Sequence, residues 1–192
     1  MTRRILSLWF PRLFTESRER AEPELANQPF AVTEDRAGTV TIACANRLAE
    51  AAGVRIGCAL SDARALCPEL ATRAAPKSVG KDGGGLLALE RWAGRFTPWV
   101  AREGPKALFL DISGSAHLFG GETALVQRLI EDCNGFGYTL AVGGADTPGA
   151  AWAMARFGGA NTAEPSFAGN AIDQEARATR ARAGKRRAAM AA

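Results

Sequence analysis

The stretch EGPKALFLDISGSAHLFGGE, residues 103–122, brings together side-chain types that can do chemistry. An apolar run ends on Asp111, and Ser113, Ser115 and the chain's single histidine, His117, follow at alternate positions. A carboxylate at the end of a buried strand can hold a metal ion, and serine with histidine can form a nucleophile and its base. The stretch therefore raises two hypotheses, a metal site at Asp111 and a serine nucleophile.

The spacing disfavours the serine nucleophile. A Ser-x-x-x-His pair within one strand does not bring a hydroxyl within hydrogen-bond reach of an imidazole nitrogen. The Gly-x-Ser-x-Gly turn that exposes a nucleophilic serine between a strand and a helix is also missing from this stretch. We interpret His117 as a polar turn residue, and Asp111 stays open as a metal ligand or as the polar end of a core strand.

Two glycine-rich stretches could present backbone N–H groups to a phosphate. KDGGG at 81–85 precedes a predicted helix, but it lacks the Lys-Ser/Thr pair of a P-loop. VGGADTPGAAWAMA at 142–155 reads as a strand, a turn and a helix with Asp146 or Thr147 as the cap. Neither stretch alone indicates a nucleotide site.

The composition is that of a folded protein with a basic C-terminal end. Its 192 residues, 47% hydrophobic and 23% charged, suit one domain or one domain with a small insertion. The net charge of +4 arises between residues 170 and 192, which contain six basic and two acidic residues. The six basic residues are candidates for DNA-backbone contacts: Arg177, Arg180, Arg182, Lys185, Arg186 and Arg187. The basic balance therefore does not indicate that the folded part binds nucleic acid.

Cysteine usage and hydropathy favour the cytoplasm. Cys44, Cys58, Cys67 and Cys133 form no Cys-x-x-Cys pair and have no histidine at zinc spacing, so we expect reduced thiols. The opening apolar stretch is interrupted at Pro11 and lacks a cleavage site. No stretch approaches the roughly 18 apolar residues of a membrane span.

Periodicity and turn residues predict an alternating order of strands and helices. Asn46 is a good N-cap for one helix, while Ser61 and Pro68 are expected to cap and end the next. The predicted strands lie at 3–10, 29–35, 39–45, 70–76, 99–103, 107–112 and 137–142. The predicted helices lie at 13–24, 46–54, 60–70, 83–98, 122–133 and 147–157.

This order predicts an α+β fold with a ferredoxin-like sheet and helices on one face. A hairpin and two short helices form an insertion between the first strand–helix unit and the amphipathic helix at 83–98. From residue 159 onward the chain has few large apolar side chains, so we expect a disordered or marginally helical tail.

Taken together, three segments resemble the N-terminal palm and fingers of Y-family translesion DNA polymerases, the UmuC-type fold. Within that family they are most similar to the ImuB-type paralogues, which are described as lacking polymerase activity. The most specific segment is IACANRLAEAAGVRIGCALSDARALCPEL at 42–70, where Gly53-Val54, Cys67-Pro68 and Leu70 keep the family spacing. ALFLDISGSAHLFGGE and LAVGGADTPGAAWAMA follow in the family's order.

The resemblance implies three parts for the chain. Residues 1–30 and 77–158 correspond to a palm-like domain, and residues 31–76 to a small inserted fingers-like subdomain. Residues 159–192 are the basic tail, which matches nothing expected of the family. Because chains of this family continue into a thumb and further regions, a truncated chain is one alternative.

The resemblance also implies that the metal-binding carboxylates are missing. The acid that active relatives carry in the first strand falls on Trp9, and a neighbouring acid falls on Pro11. Their Ser-x-Asp-Glu run falls on Gly104, Pro105, Lys106 and Ala107. Asp111 matches a later acid that is not a metal ligand in the family, so the resemblance implies no catalytic residue, metal or cofactor here.

The positions that contact the triphosphate differ as well. The family's fingers tyrosine and arginine fall on Arg47 and Glu50, and its phosphate-binding lysine falls on Pro148. Glu50 would place a negative charge where polyphosphate should lie. Phe14 keeps an aromatic ring at the family's sugar-sensing position, which we interpret as core packing.

The function implied is that of a non-catalytic accessory in damage-induced translesion synthesis. The resemblance implies a RecA-like accessory protein, an error-prone replicative-type polymerase and the sliding clamp as partners, with DNA bound indirectly or weakly. Two alternatives stay open. One is a still-active polymerase that uses other acids, such as Glu103 and Asp35; the other is a generic ferredoxin-like binding module.

Overall fold

The computed structural model describes residues 3–75 and 85–158, together with the backbone of 166–167. The strands are β1 Ile5–Trp9, β2 Phe30–Arg36, β3 Thr39–Ala45, β4 Ala71–Ala74, β5 Val100–Glu103, β6 Ala107–Asp111, β7 Ala141–Ala145 and β8 Ser166–Phe167. The α-helices are α1 Leu13–Ala21, α2 Arg47–Ala51, α3 Leu60–Leu66, α4 Leu86–Ala93, α5 Glu122–Gly135 and α6 Pro148–Phe157. Two short 3-10 helices span Pro23–Asn27 and Ala116–Phe119.

The larger sheet has the strand order β5-β6-β1-β7-β8. β1 lies at its centre and pairs antiparallel with both β6 and β7. β5 and β6 form a hairpin, and β8 pairs with β7 in parallel. Without β8, this is the four-strand order of a ferredoxin-like sheet, so the predicted α+β class is confirmed.

The main hydrophobic core lies between one face of the larger sheet and three helices. β1 contributes Leu6 and Leu8, which are fully buried against residues of α1, α4 and α5. The predicted apolar face of α4 is buried, and Trp92 also donates from Nε1 to Asp132 Oδ2 of α5 at 3.0 Å. These three helices share one face of the sheet, whereas α6 lies on the other, so the predicted placement of the helices on one face holds for α1, α4 and α5 and is wrong for α6.

α6 lies on the opposite face of the same sheet. It packs against β1 and β7, where Ile5, Ala145 and Ala151 form a small buried cluster. Its backbone comes so close that a Cβ added to Gly143 would lie 2.3 Å from both Ala151 O and Ala155 N. Only glycine allows this approach. Gly143 of VGGA therefore serves the packing of α6 against the sheet.

The smaller sheet has the order β3-β2-β4 and contains the predicted hairpin. β2 pairs antiparallel with β3 and parallel with β4. α2 and α3 cover one side of it around Ile42, Ala49 and Ala63. On its other side, Phe30 and Cys44 pack with Phe14 of α1, so a second hydrophobic cluster joins the two sheets.

Other sequence predictions differ from the structure or lie outside the described residues. Ser61 lies inside α3, which starts after Ala59 without a side-chain cap, so its predicted capping role is wrong. The last predicted strand, 137–142, is β7 at Ala141–Ala145, because α5 and its C-terminal turn extend to Tyr138. The phosphate hypothesis at 81–84 and the basic tail with its candidate DNA contacts lie outside the described residues.

Within the described ranges, no helix is both long and apolar enough to cross a membrane. The domain boundaries inferred from the resemblance stay a prediction.

Candidate functional site

The positions that the resemblance assigns to metal ligands meet at one end of the larger sheet. Trp9, the last residue of β1, pairs with Ala107, the first residue of β6. The next residue, Phe10, donates its N–H to Lys106 O at 2.9 Å. The tight turn that joins β5 to β6 passes through Gly104 at a φ of 58°. The end of β1 and this turn therefore form one local surface beside the smaller sheet, which we call the junction.

A cation occupies the centre of this surface, on the face that α6 covers. The Arg156 guanidinium carbon lies 5.3 Å from the ring centroid of Trp9 and 4.4 Å from that of Trp152. Its Nη2 also forms an ion pair with Glu103 Oε2 at 2.8 Å. We call Trp9, Glu103, Trp152 and Arg156 the Arg156 cluster. Within it, Arg156 neutralises Glu103, the carboxylate of β5, and its guanidinium stacks on two indole rings.

Lys106 joins the two sheets. Its Nζ donates to Ala43 O of β3 at 2.9 Å and lies 5.0 Å from the ring centroid of Phe14. Phe14, which is buried, packs with Phe30 and Cys44 of the smaller sheet. The prediction that Phe14 serves core packing is therefore confirmed. The ammonium group of Lys106 extends from the β5–β6 turn to the backbone of β3.

A second link, between α1 and α2, is an ion pair. Arg12, at the start of α1, bonds through Nη2 to Glu50 Oε2 in α2. The Arg12 side chain is 12% exposed and that of Glu50 is 31% exposed, so the pair is largely shielded from water. The negative charge predicted at Glu50 is thus neutralised from within the chain. Arg47, one turn earlier, is exposed.

Asn46 positions α2 and, through it, Glu50. Its Oδ1 accepts from Ala49 N at 2.9 Å, which confirms the predicted N-cap. The same oxygen accepts from Phe30 N at 3.1 Å, and Nδ2 donates to Gln28 O at 2.9 Å. The side chain therefore joins α2 to the start of β2. The sequence showed only its capping role, because the other partners are distant along the chain.

Glu16, on α1, is another carboxylate near this junction. Its two oxygens accept from Thr139 N at 2.9 Å and from Thr139 Oγ1 at 2.6 Å. Burial raises the pKa of the Glu16 carboxyl, and the bonds from Thr139 oppose that rise. Its role is to hold the segment between α5 and β7 against α1.

Pro148 is the first residue of α6, and its side chain is exposed. Thr147 caps this helix by accepting from Ala150 N at 3.3 Å. The preceding residue, Asp146, forms an ion pair with Arg4 at 3.3 Å. Thr147 is therefore the cap, which decides between the two candidates that the sequence left open.

Asp111 lies at the opposite end of β6 and closes a turn. Its Oδ1 accepts from Ser113 Oγ at 2.6 Å and from Ser113 N at 3.0 Å, and Arg3 lies 3.6 Å from its Oδ2. These bonds from Ser113 hold the pKa of the Asp111 carboxyl below its usual value. His117 is exposed in the 3-10 helix that follows. Asp111 is therefore the polar end of a core strand.

The residues at the junction do not fit a centre for two divalent ions. Such ions need several oxygen ligands that converge on them. In the described part of the chain, no three His, Cys, Asp or Glu side chains are grouped so that they could hold a metal. Glu103 faces Arg156, and Asp35 lies on the β2–β3 hairpin, where it accepts from Gly38 N. The structure thus does not bring these two alternative acids together.

Comparisons with known proteins agree with the fold. The family model described as IMS, impB/mucB/samB family, matches residues 8–156. Protein ImuB of Caulobacter vibrioides, in strain NA1000 / CB15N and in strain ATCC 19089 / CIP 103742 / CB 15, is 46% identical over 98 residues. This match covers 51% of the chain and 21% of the relatives, so the chain aligns with about a fifth of their length.

Solved structures are similar over most of the chain. DinB from Sulfolobus solfataricus has a TM-score of 0.69 at 16% identity and covers 85% of this chain and 48% of its own. The Dbh-Dpo4 chimera, a Y-family DNA polymerase, has a TM-score of 0.67 at 15% identity and covers 86% and 49%. At such identities the likeness shows the fold, which is that of palm and fingers in Y-family polymerases. With the family model matching most of its length, the chain belongs to the impB/mucB/samB family.

Proposed function

We propose that this chain is a non-catalytic, polymerase-like accessory protein in damage-induced translesion DNA synthesis and mutagenesis, within the SOS response. The observation that carries the proposal is the pair of cations at the junction. Lys106 stands where the resemblance expects a metal-binding acid, and Arg156 lies against Trp9, where it expects another.

The electrostatics of the junction oppose nucleotidyl transfer. That reaction needs metal ions to activate the primer hydroxyl and to neutralise the triphosphate. Lys106 and Arg156 outnumber the acid of the Arg156 cluster, Glu103, which is already paired with Arg156, so the net charge of these three groups is positive and disfavours a divalent ion. With its metal ligands replaced, the fold retains a surface for recognition and carries out no transfer.

The phosphate side of the junction supports the same proposal. Arg12 forms an ion pair with Glu50, its only ion-pair partner among the described residues, so Arg12 is not free to bind a polyphosphate. Pro148 carries no charge and no backbone N–H at the start of α6. Neither position supplies the cation that a triphosphate tail requires.

The pathway and the partners rest on the resemblance and on the relatives named Protein ImuB. We propose a RecA-like accessory protein, an error-prone replicative-type polymerase and the sliding clamp as partners. We also propose a cytoplasmic location, with DNA contacted indirectly or weakly through the basic residues after 170. Because the match covers about a fifth of the relatives, contacts made by the rest of such proteins are part of this proposal.

Binding of Mn²⁺ tests the non-catalytic proposal directly. Calorimetric titration of the chain should give no saturable binding of Mn²⁺. A triple variant, Trp9→Asp, Lys106→Asp and Ala107→Glu, should gain such binding, because it restores carboxylates to the three positions. Saturable Mn²⁺ binding by the unaltered chain, abolished by Glu103→Gln, would contradict the proposal and favour a polymerase that uses other acids.

Primer extension provides the second measurement. A template–primer duplex with all four deoxynucleoside triphosphates and Mg²⁺ or Mn²⁺ should remain unextended with this chain, while an active Y-family polymerase extends it. Purified partners then test the accessory role. If no RecA-like protein, polymerase or clamp binds the chain, the generic binding module becomes the better description.

A further inference from the structure

A groove lies at the end of the larger sheet away from the junction. It has a volume of about 500 Å³. Its floor is made by Phe96 and Phe119, whose ring centroids lie 5.3 Å apart. Arg95 forms one side, and the exposed face of α5 forms the other, with Ala124, Gln127, Arg128 and Glu131. We call this the distal groove.

Two large apolar side chains in the segments that supply the floor of the distal groove are exposed to solvent. Trp99 is 73% exposed and Leu118 is 71% exposed. Both belong to segments anchored at the end of β6: Trp99 O accepts from Asp111 N at 3.0 Å, and Ser115 N donates to Ile112 O at 3.1 Å. Phe96 lies three residues before Trp99 in one segment, and Phe119 directly follows Leu118 in the other. One end of the sheet therefore presents a tryptophan, a leucine and an apolar groove.

The fold does not need these exposed side chains. The core beneath them is complete, because Phe96, Ile112 and Leu125 are buried in it. An exposed tryptophan and leucine beside a groove are typical of a protein–protein contact, where a few large side chains contribute most of the binding energy. The distal groove is separate from the junction, since Asp111 and Ala107 lie at opposite ends of β6.

The charges around the distal groove indicate what kind of segment it takes. Arg95 is exposed and has no ion pair among the described residues. Arg128 is 63% exposed and already neutralised by Asp132 at 3.3 Å, and Glu131 accepts from Gln127 at 2.9 Å. Glu131 keeps its negative charge, because the Gln127 amide that donates to it is neutral, so the groove lining carries two cations and one anion. Arg95 is the cation of this lining that has no ion pair among the described residues, and it favours a carboxylate on the occupant.

We propose that the distal groove, with Trp99 and Leu118, binds a short segment of a partner protein that carries apolar anchor side chains next to acidic residues. The anchors fill the groove over Phe96 and Phe119, and a carboxylate pairs with Arg95. This proposal rests on the proposed function, because it treats the surface as the docking surface of an accessory protein. Its test does not use polymerase activity or metal binding, so either proposal can fail without the other.

A displayed library of random peptides of about twelve residues, selected on the chain, is the probe. The enriched peptides should combine leucine or an aromatic residue with aspartate or glutamate. Affinity of these peptides is then measured on Trp99→Ser, Leu118→Ser and Arg95→Glu, each at an exposed site that leaves the core intact. Each variant should bind at least about tenfold more weakly than the unaltered chain.

Matched variants on the smaller sheet are the controls. Leu66 is 59% exposed and Arg64 is exposed on the same helix, α3. Leu66→Ser and Arg64→Glu should leave the affinity within about twofold. Enriched peptides without acidic residues, equal affinity for Trp99→Ser and the unaltered chain, or no enrichment at all would each contradict the proposal. Circular dichroism of every variant confirms that lost binding is not lost folding.

Discussion

Lys106 Nζ donates to Ala43 O at 2.9 Å and so fixes the β5–β6 turn of the larger sheet to β3 of the smaller one. Arg12 and Glu50 form a second link between α1 and α2. Both links are made by the chain's own charged groups. The two sheets are therefore joined by the chain's own side chains, and both links can be removed by mutation.

Lys106→Met should destabilise the protein by about 1–2 kcal/mol, because it removes the hydrogen bond to Ala43 O and the contact with the Phe14 ring while keeping most of the aliphatic chain. Urea unfolding measures the change. Amide hydrogen exchange should also accelerate in β3. Arg64→Met, at an exposed site of α3, is the control and should change stability by less than about 0.5 kcal/mol. Equal effects of the two variants would refute the stabilising role of Lys106.

Arg12 and Glu50 should show a coupling energy of about 1–3 kcal/mol in a double-mutant cycle with alanine, because the pair is largely shielded from water. The comparison pair is Arg36 and Glu34 on the hairpin, where the Arg36 side chain is 69% exposed. That pair should give less than about 0.5 kcal/mol. If the two cycles give the same coupling, the Arg12–Glu50 link does not hold α2 against α1.

Asn46→Ala should cost about 2–4 kcal/mol of stability, because it removes the cap of α2 and leaves the buried Phe30 N–H without its partner. Ser61→Ala is the matched control. Ser61 resembles a cap in the sequence but lies within α3, so its loss should change the free energy of unfolding by less than about 0.5 kcal/mol. A larger effect at Ser61 than at Asn46 would contradict these assignments. Thermal and urea unfolding measure both variants.

Glu16 should make the protein less stable as the pH rises. Its pKa in the folded state is raised above the unfolded value of 4.5, so the folded state holds the proton over a range where the unfolded state has lost it. The stabilisation is complete below 4.5 and is lost as the pH rises through the folded pKa. Glu16→Gln should remove this part of the slope in urea unfolding, whereas Glu24→Gln, at an exposed site, should preserve it. An unchanged slope in Glu16→Gln would show that another group titrates.

The elements that the sequence predicts well are those set by neighbouring residues. The hairpin through Arg36 and Gly38, the cap at Asn46 and the apolar face of α4 depend on local periodicity and turn chemistry. The β7 prediction started too early because Tyr138 N bonds back to Cys133 O and extends the end of α5. Nothing in the local pattern distinguishes that turn from the start of a strand.

The site was predictable only as a set of replaced positions. The resemblance marked Trp9, Lys106 and Glu50, but it did not reveal their new partners. Arg156 lies far along the chain from both Trp9 and Glu103, and Lys106 reaches a backbone carbonyl that has no sequence signal. Such contacts depend on how α6 and the smaller sheet pack against the larger one, which a single sequence does not encode in any local pattern.

Gly143 sets how near α6 can come to the sheet, and α6 carries both Trp152 and Arg156. Any larger residue at 143 would lift the helix and withdraw the guanidinium from the end of β1. We therefore expect this glycine and the arginine that stacks on Trp9 to be retained or replaced together. Relatives that have a larger residue at this position should also lack the stack of an arginine on the last residue of β1.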